Sequence, residues 1–326
     1  MPPNDIPSNA TRKNTEGSKT KSKQYRMVAL DLDGTLLSST GTLADTQAEY
    51  LRGLYEKGFQ ICIATGRSVT KTYSVAAKLQ IPRLPIVCSN GSNGYYYSGL
   101  VPQPPGTSSL TEGPPIMEEQ FQFEVPKDIV QRALNLANKH DFCLQYYYKN
   151  SIYANHKSEL HYTWTNKYTE ITTGVRIQHI DDDYKEMLEQ NQLPSKILLL
   201  FDAADHKKAQ KVTHEEFAPS EASIAFVRGE WAWFLEVLNA DCNKGNGLKL
   251  MCEKSLNVPM EEVIAVGDGY NDIEFLQMAG LGVAVQNADA AVKEIADVTL
   301  DFTNDEYGPM RILQELEEKG ELVFQE

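Results

Sequence analysis

Short apolar runs alternate with amphipathic segments near both ends of the chain, and this pattern predicts strands separated by helices. The runs predicted as buried strands are 25–32, 59–64, 84–89, 263–267 and 281–285. The predicted helices are 44–57, 68–79 and a third between the last two strands. Because strands that alternate with helices pair in parallel through right-handed crossovers, we expect an α/β core with a parallel sheet.

The middle of the chain lacks this regular alternation. Its features are a Pro/Gly/Ser-rich stretch at 102–115, an aromatic hairpin-like run at 145–154, an acidic helix at 181–190 and strands at 196–201 and 228–238. The segment is long enough to form a domain of its own. We therefore predict an inserted α+β domain at 95–235, within a core formed by 24–94 and 236–326.

Residues 1–23 contain almost no large apolar side chains. Such a segment cannot bury enough surface to offset its loss of conformational entropy, so we predict a disordered tail. It lacks the apolar run of a secretory signal, while its mildly basic composition leaves transit to an organelle open. The five cysteines form no C-x-x-C pair and indicate no disulfide framework, which favours a cytoplasmic location.

Charge and hydropathy argue against two classes of partner. The 326 residues carry a formal net charge of −14, whereas a protein that binds nucleic acid usually presents a basic surface. No apolar stretch approaches the roughly 18 residues that a membrane span needs. We therefore expect no nucleic acid and no membrane as partner, and the sequence leaves both a monomer and a homodimer open.

Four polar motifs follow the predicted strands or open a predicted helix. They are Asp31-x-Asp33-Gly-Thr, Thr65-Gly66-Arg67, Lys244-Gly245 and Gly267-Asp268-Gly-Tyr-Asn271-Asp272. Because open α/β folds place their sites at the carboxyl edge of the sheet, we expect the four motifs to gather there.

The first motif places two carboxylates, Asp31 and Asp33, where they should repel each other. A calcium loop of the EF-hand type would need glycine at its sixth position and glutamate at its twelfth, where the chain has Leu36 and Thr42. A plain turn remains open, but a divalent cation would explain the pair, and Asp268 supplies a further acid. Since Mg²⁺ takes one or two carboxylates together with waters and substrate phosphate, we predict a Mg²⁺ site.

The second and third motifs favour phosphate as the ligand. Thr65 and Gly66 offer a hydroxyl and main-chain N–H groups, although Thr-Gly after a strand is commonly only a turn. Lys244 opens a further predicted helix, indicated by the apolar pattern of Leu248, Leu250 and Met251. A helix N-terminus itself favours anions, whereas a lone lysine is commonly a solvated surface residue. It is the combination of acids, a hydroxyl and one cation that favours a site for phosphate chemistry.

The stretches "DLDGTL", "ATGR", "NKGNGL" and "GDGYND" resemble, in order and type, the four motifs of the haloacid dehalogenase superfamily of phosphotransferases. The insert is similar to the large cap of the Cof-type sugar-phosphate phosphatases, as are "CSNG" (88–91) and "FLEV" (234–237). Asn243 stands where relatives more often carry serine. The resemblance implies a Rossmann-like parallel-sheet core with a large inserted α+β cap, which selects the leaving group and excludes water when it closes.

The resemblance also implies roles for the acids. Asp31 would be the nucleophile that forms an aspartyl-phosphate, and Asp33 would protonate the leaving oxygen and then deprotonate the attacking water. The Mg²⁺ ligands would be the Asp31 carboxylate, the Asp33 main-chain carbonyl, Asp268 and waters. Asp272 would orient a metal-bound water or Lys244, or would serve only as an acid at a helix N-terminus.

For the phosphoryl group, the resemblance implies binding by Thr65, Gly66, Lys244 and Asn271. The predicted function is a Mg²⁺-dependent phosphatase of small phosphorylated metabolites, such as sugar phosphates or phosphorylated cofactor precursors. A phosphomutase that uses the same aspartyl-phosphate is the alternative, and a non-catalytic metabolite-binding protein is a third hypothesis. The full set of motifs through "GDGYND" favours hydrolysis.

Overall fold

The computed structural model describes residues 11–12, 23–99, 116–149, 151–172, 177–226 and 233–325. The predicted tail at 1–23 lies outside these residues except for Thr11–Arg12 and Lys23, and the stretch at 102–115 lies outside them entirely.

Strands and helices are numbered in chain order within the described residues. The strands are β1 Thr11–Arg12, β2 Met27–Leu30, β3 Gln60–Ala64, β4 Leu84–Cys88, β5 Asn93–Ser98, β6 Ile116–Gln122, β7 Cys143–Tyr148, β8 Ser151–Ala154, β9 Ile177–His179, β10 Lys196–Leu200, β11 Ala222–Phe226, β12 Phe234–Asn239, β13 Val263–Gly267, β14 Leu281–Ala284 and β15 Val298–Thr299. The helices are α1 Asp45–Glu56, α2 Tyr73–Leu79, α3 Lys127–His140, α4 Glu159–Thr172, α5 Lys185–Glu189, α6 His206–Glu216, α7 Lys244–Met251, α8 Ile273–Met278, α9 Ala290–Ile295 and α10 Gly308–Glu318.

The chain forms two compact units, of which the second is Gln122–Cys242 and the first comprises the chain before and after it. The first unit holds a sheet in the order β1-β15-β14-β13-β2-β3-β4-β5-β6. Neighbouring strands are parallel from β15 to β4, and β5 runs antiparallel to β4. The strands β2, β4, β13 and β14 are buried at every residue, as expected when both faces of a parallel sheet are covered. The predicted α/β class with a parallel-sheet core is confirmed.

The order of strands fixes where a site can form in the first unit. β2 lies in the middle of the sheet, with β3 and β4 on one side and β13, β14 and β15 on the other. The strand order therefore reverses between β2 and β13. Open α/β sheets bind their ligands beyond the carboxyl ends of the strands at such a point.

The second unit holds a sheet in the order β11-β12-β10-β7-β8-β9, in which only β8 and β9 pair in parallel among the described strands. Successive residues of β10 pack on opposite faces, because side chains alternate along a strand. Ile197 and Leu199 pack in one apolar cluster, which includes residues of α3, and Leu198 and Leu200 pack in another, which includes Trp164 of α4. The second unit therefore has an α+β fold, and its sheet is packed on both faces.

The two units meet in sequence after Phe121 and after Cys242. The first limit lies later than the predicted 95 because β5 and β6 belong to the sheet of the first unit, and the second lies later than the predicted 235 because β12 belongs to the sheet of the second unit. All five cysteines are buried and unbridged. Among the described residues, no helix combines the length and the apolar character that a bilayer span requires.

Candidate active site

Two acids leave the first sheet side by side. Asp31 follows β2 and Asp268 follows β13, and these strands are parallel neighbours, so both carboxylates lie at the same edge. Gly34 permits the close approach of their two loops. Its φ is +80°, and a Cβ atom added there would lie 2.3 Å from Asp268 Oδ2. Glycine after the second aspartate of the motif is therefore required by the packing of the site itself.

Lys244 is the cation beside Asp31. It is the first residue of α7, whose N-cap residue Asn243 accepts a hydrogen bond from the Asn246 main-chain N–H at 2.8 Å. Lys244 Nζ donates to Asp31 Oδ1 at 2.5 Å and to Asp272 Oδ1 at 2.6 Å, and the side chain is fully buried. Burial alone would lower the pKa of this lysine, but the Asp31 and Asp272 carboxylates hold it above its usual value. The ammonium is therefore charged at neutral pH.

Three carboxylates share this pocket with the single ammonium. Asp31, Asp268 and Asp272 each place one ligand oxygen within 4.8 Å of the other two. One lysine leaves two of their negative charges unbalanced, which one divalent cation would neutralise. Burial raises the pKa of Asp31 to about 7 and that of Asp268 to about 6, as expected for carboxylates that lack a sufficient counter-charge. The oxygen donors and the charge balance fit a metal ion such as Mg²⁺.

Asp272 and Thr35 fix the groups around this cluster. Asp272 Oδ1 accepts from Lys244, and its Oδ2 accepts from the main-chain N–H groups of Asp268 at 3.0 Å and Gly269 at 2.9 Å. Thr35 Oγ1 donates to Asp268 Oδ1 at 2.6 Å. Asp272 thus contacts the lysine, as one of the alternatives for this residue requires, and Thr35 was not predicted as part of the site.

The Asp33 carboxylate does not join this cluster and pairs with Arg67. Arg67 Nε donates to Asp33 Oδ2 at 2.7 Å, and Nη2 donates to Oδ1 at 2.5 Å, so the guanidinium holds both oxygens. The repulsion expected between Asp31 and Asp33 is therefore relieved by two separate cations, Lys244 and Arg67. This role of Arg67 was not predicted, although its place in "ATGR" put it at the same edge of the sheet.

The predicted phosphate-binding residues of the second and fourth motifs lie together. Thr65 is buried, and its Oγ1 accepts a hydrogen bond from the Arg67 main-chain N–H at 3.1 Å. Asn271 Nδ2 donates to Asn90 Oδ1 at 3.0 Å. Both atoms lie close to Gly66: a Cβ atom added to this glycine would be 3.7 Å from Asn271 Nδ2 and 2.9 Å from Asn90 Oδ1. Asn90, which stands in "CSNG" after β4, thus joins the residues that were predicted.

Comparisons with known proteins find similar sequences and similar folds. The family described as haloacid dehalogenase-like hydrolase matches residues 28–101 and 115–310. The 5-amino-6-(5-phospho-D-ribitylamino)uracil phosphatase of Bacillus subtilis (strain 168) is 26% identical over 90% of this chain and 98% of its own. The pyridoxal phosphate phosphatase of Escherichia coli (strain K12) is 28% identical over 86% of this chain and 95% of its own.

The solved structures include a haloacid dehalogenase-like hydrolase from Bacteroides thetaiotaomicron. It aligns with a TM-score of 0.66 and 23% identity, over 90% of this chain and all of its own. At this level of identity the similarity concerns the fold.

Proposed function

Because the chain belongs to the haloacid dehalogenase-like hydrolases, we propose that it hydrolyses small phosphorylated metabolites with Mg²⁺, through an aspartyl-phosphate on Asp31. The predicted family and enzyme class, a phosphoric monoester hydrolase, are confirmed. One observation carries the finer proposal. The buried ammonium of Lys244 contacts Asp31 at 2.5 Å, in a cluster of carboxylates that still lacks two positive charges.

In the first step, an Asp31 oxygen forms a bond to phosphorus, and the bond from phosphorus to the ester oxygen breaks. Asp33 gives a proton to that departing oxygen, which leaves as an alcohol. Lys244 lies beside Asp31 and reduces the repulsion between its carboxylate and the anionic phosphoryl group. Arg67 keeps the Asp33 side chain away from the carboxylate cluster, and this ion pair must open before an Asp33 oxygen can carry the proton.

In the second step, water attacks phosphorus, Asp33 takes a proton from the water, and the bond from phosphorus to Asp31 breaks. Asp31 returns as a carboxylate and inorganic phosphate is released. Thr65, Gly66 and Asn271 donate hydrogen bonds to the non-bridging phosphoryl oxygens in both steps. The same three residues therefore hold the group that is transferred from the substrate to Asp31 and then to water.

The residues that would hold Mg²⁺ are Asp31 and Asp268, through their carboxylates, and Asp33, through its main-chain carbonyl. When bound, the cation supplies positive charge that screens the phosphoryl group. Asp272 is assigned a different task, because its oxygens already accept hydrogen bonds from Lys244 and from two main-chain N–H groups.

The substrate class rests on relatives. Two of them are named as phosphatases of a phosphoribitylaminouracil and of pyridoxal phosphate, and both are small phosphate esters. These names support sugar phosphates and phosphorylated cofactor precursors as the compounds to test.

The release of inorganic phosphate from a panel of such esters, with and without Mg²⁺, tests the proposed function. We expect hydrolysis of at least one ester, and only with the metal. A bisphosphorylated sugar that stimulates turnover with little release of phosphate would identify a phosphomutase instead. Absence of any turnover across the panel would contradict the proposal.

Removal of divalent cations is expected to abolish activity without unfolding the protein. Lys244 already pairs with Asp31 and Asp272, so the buried carboxylates keep one partner in the metal-free protein. Re-addition of Mg²⁺ should restore turnover and raise the Tm, since a ligand that binds the folded state stabilises it. Activity assays and thermal melts across a chelator titration check the loss of turnover and the change in Tm. In Asp268→Asn, the Mg²⁺-dependent rise in Tm should disappear. Full activity in chelator would contradict the metal requirement.

Arg67→Met is expected to slow hydrolysis of alkyl phosphates more than that of p-nitrophenyl phosphate. Arg67 fixes the position of the Asp33 carboxyl group and does not make it a stronger proton donor, since a nearby cation favours the ionised form. A good leaving group needs little help from an acid, so loss of this positioning affects it less. We expect about a hundredfold loss of kcat on the alkyl ester, partial recovery in Arg67→Lys, and no change in Arg83→Met, which alters an exposed arginine. Equal losses on both esters would show that Arg67 does not act through Asp33.

A further inference from the structure

The turn after β4 has an unusual backbone conformation. Ser89, Asn90 and Gly91 all have positive φ, at 51°, 54° and 96°. Left-handed residues other than glycine cost roughly 1–2 kcal/mol each, and Asn tolerates this conformation better than Ser. Strain of this kind persists only where surrounding groups hold it, and it is concentrated at functional sites.

Groups from two of the motifs hold this turn. The Ser89 N–H donates to the Arg67 main-chain oxygen at 2.9 Å, and the Asn90 N–H donates to the Thr65 main-chain oxygen at 3.2 Å. On the other side, a Cβ atom added to Gly91 would lie 2.0 Å from the Asn243 main-chain oxygen. The turn is therefore fixed between the loop after β3 and the start of α7.

The side chain of Asn90 links this turn to the fourth motif. Its Oδ1 accepts from Asn271 Nδ2 at 3.0 Å. The oxygen of the same amide, Asn271 Oδ1, lies toward Gly269, at 2.7 Å from the position of an added Cβ atom. Asn271 is exposed, whereas Asn90 is half-buried in a turn held by main-chain hydrogen bonds, so this contact can set the orientation of the Asn271 amide.

We propose that Asn90 is a positioning residue for Asn271, and that it orients the Asn271 amide for phosphoryl binding. This rests on the proposed function, in which Asn271 holds the transferred group. Asn271 donates one N–H of its amide to Asn90. Because the amide is planar, this hydrogen bond also fixes the direction of its second N–H. An amide fixed before binding loses less conformational freedom when the anion arrives, so phosphate binds more tightly. The strained turn places Asn90 where this contact is made.

Calorimetric titration with inorganic phosphate in the presence of Mg²⁺ tests the proposal without a need for turnover. Asn90→Gly keeps a backbone suited to positive φ while it removes the whole side chain with its amide, so the turn should still form. We expect its Kd for phosphate to rise about tenfold, the size of one lost hydrogen bond. KM for a phosphate ester should rise by a similar factor, with a smaller change in kcat. Ser89→Gly, the matched control in the same turn, should leave the Kd unchanged.

The double substitution separates positioning from a general effect on the turn. If Asn90 acts through Asn271, then Asn271→Ala and the double variant Asn90→Gly/Asn271→Ala should have the same Kd. Effects that multiply, or an unchanged Kd in Asn90→Gly, would overturn the proposal while leaving the proposed function standing. A wild-type protein that binds no phosphate with Mg²⁺ would overturn this proposal as well, whereas the proposed hydrolysis is overturned by the absence of turnover on the ester panel.

Discussion

Asp31→Asn is expected to lower kcat by at least about 10⁴-fold, the scale seen when a covalent nucleophile is removed. An amide has the shape of the carboxylate but is too weak a nucleophile to attack phosphorus. The fold should survive, because Lys244 keeps its hydrogen bond to Asp272 at 2.6 Å. Steady-state kinetics on the best substrate of the panel, together with a thermal melt, check the two expectations.

The control for this variant is Asp45→Asn. Asp45 also pairs with a lysine, Lys78, at 2.8 Å, but it is exposed and stands at the start of α1. Its substitution should leave kcat unchanged. An Asp31→Asn enzyme with near wild-type turnover would remove Asp31 as the nucleophile.

Lys244→Met is expected to have the second largest effect, on both turnover and stability. Methionine leaves the buried Asp31 and Asp272 carboxylates without their cation, and removal of one partner from a buried ion pair costs about 3–5 kcal/mol. We expect kcat to fall by about a thousandfold, because the charge of the phosphoryl group is no longer screened on that side. Urea unfolding of the metal-free protein measures the loss of stability, and Mg²⁺ should recover part of it.

Lys249→Met is the matched control on the same helix. Lys249 is exposed and lies 3.9 Å from Glu253, so its loss should change the free energy of unfolding by less than about 0.5 kcal/mol. If Lys244→Met and Lys249→Met unfolded at the same urea concentration, the buried charge cluster would not have the importance assigned to it.

Much of the first sheet is predictable from the sequence, because parallel strands that are buried on both faces consist of short apolar runs. The run predicted at 263–267 coincides with β13, and the run at 84–89 differs from β4 by one residue. β5 is harder to predict. It is an aromatic stretch that pairs antiparallel with β4, and nothing in the stretch itself says which sheet it joins.

The helices of the second unit show a different kind of omission. α3 carries Ile129, Val130, Ala133, Leu134 and Ala137 at helical spacing, and all five are buried. That signal was present in the sequence, although no helix was predicted there. The prediction for the middle of the chain rested on its strands and its acidic helix, so the apolar face of α3 was missed.

At the site, residue types could be predicted but pairings could not. The sequence predicts that the acids of the first and fourth motifs lie at one edge of the sheet with Lys244 and Arg67. It does not predict which acid each of these two cations contacts. The structure pairs Lys244 with Asp31 and gives Asp33 a different partner. Such pairings depend on side-chain directions between segments far apart in the chain, which motif spacing does not encode.

The central claim is that Asp31 carries the phosphoryl group between substrate and water. Rapid acid quench of a single turnover with Mg²⁺, followed by peptide mapping by mass spectrometry, tests it directly. We predict a transient phosphate on the peptide that contains Asp31, formed and lost at rates fast enough to support turnover, and absent in Asp31→Asn. Phosphate found on a different residue, or steady release of phosphate with no phosphorylated protein at any time point, would contradict the account.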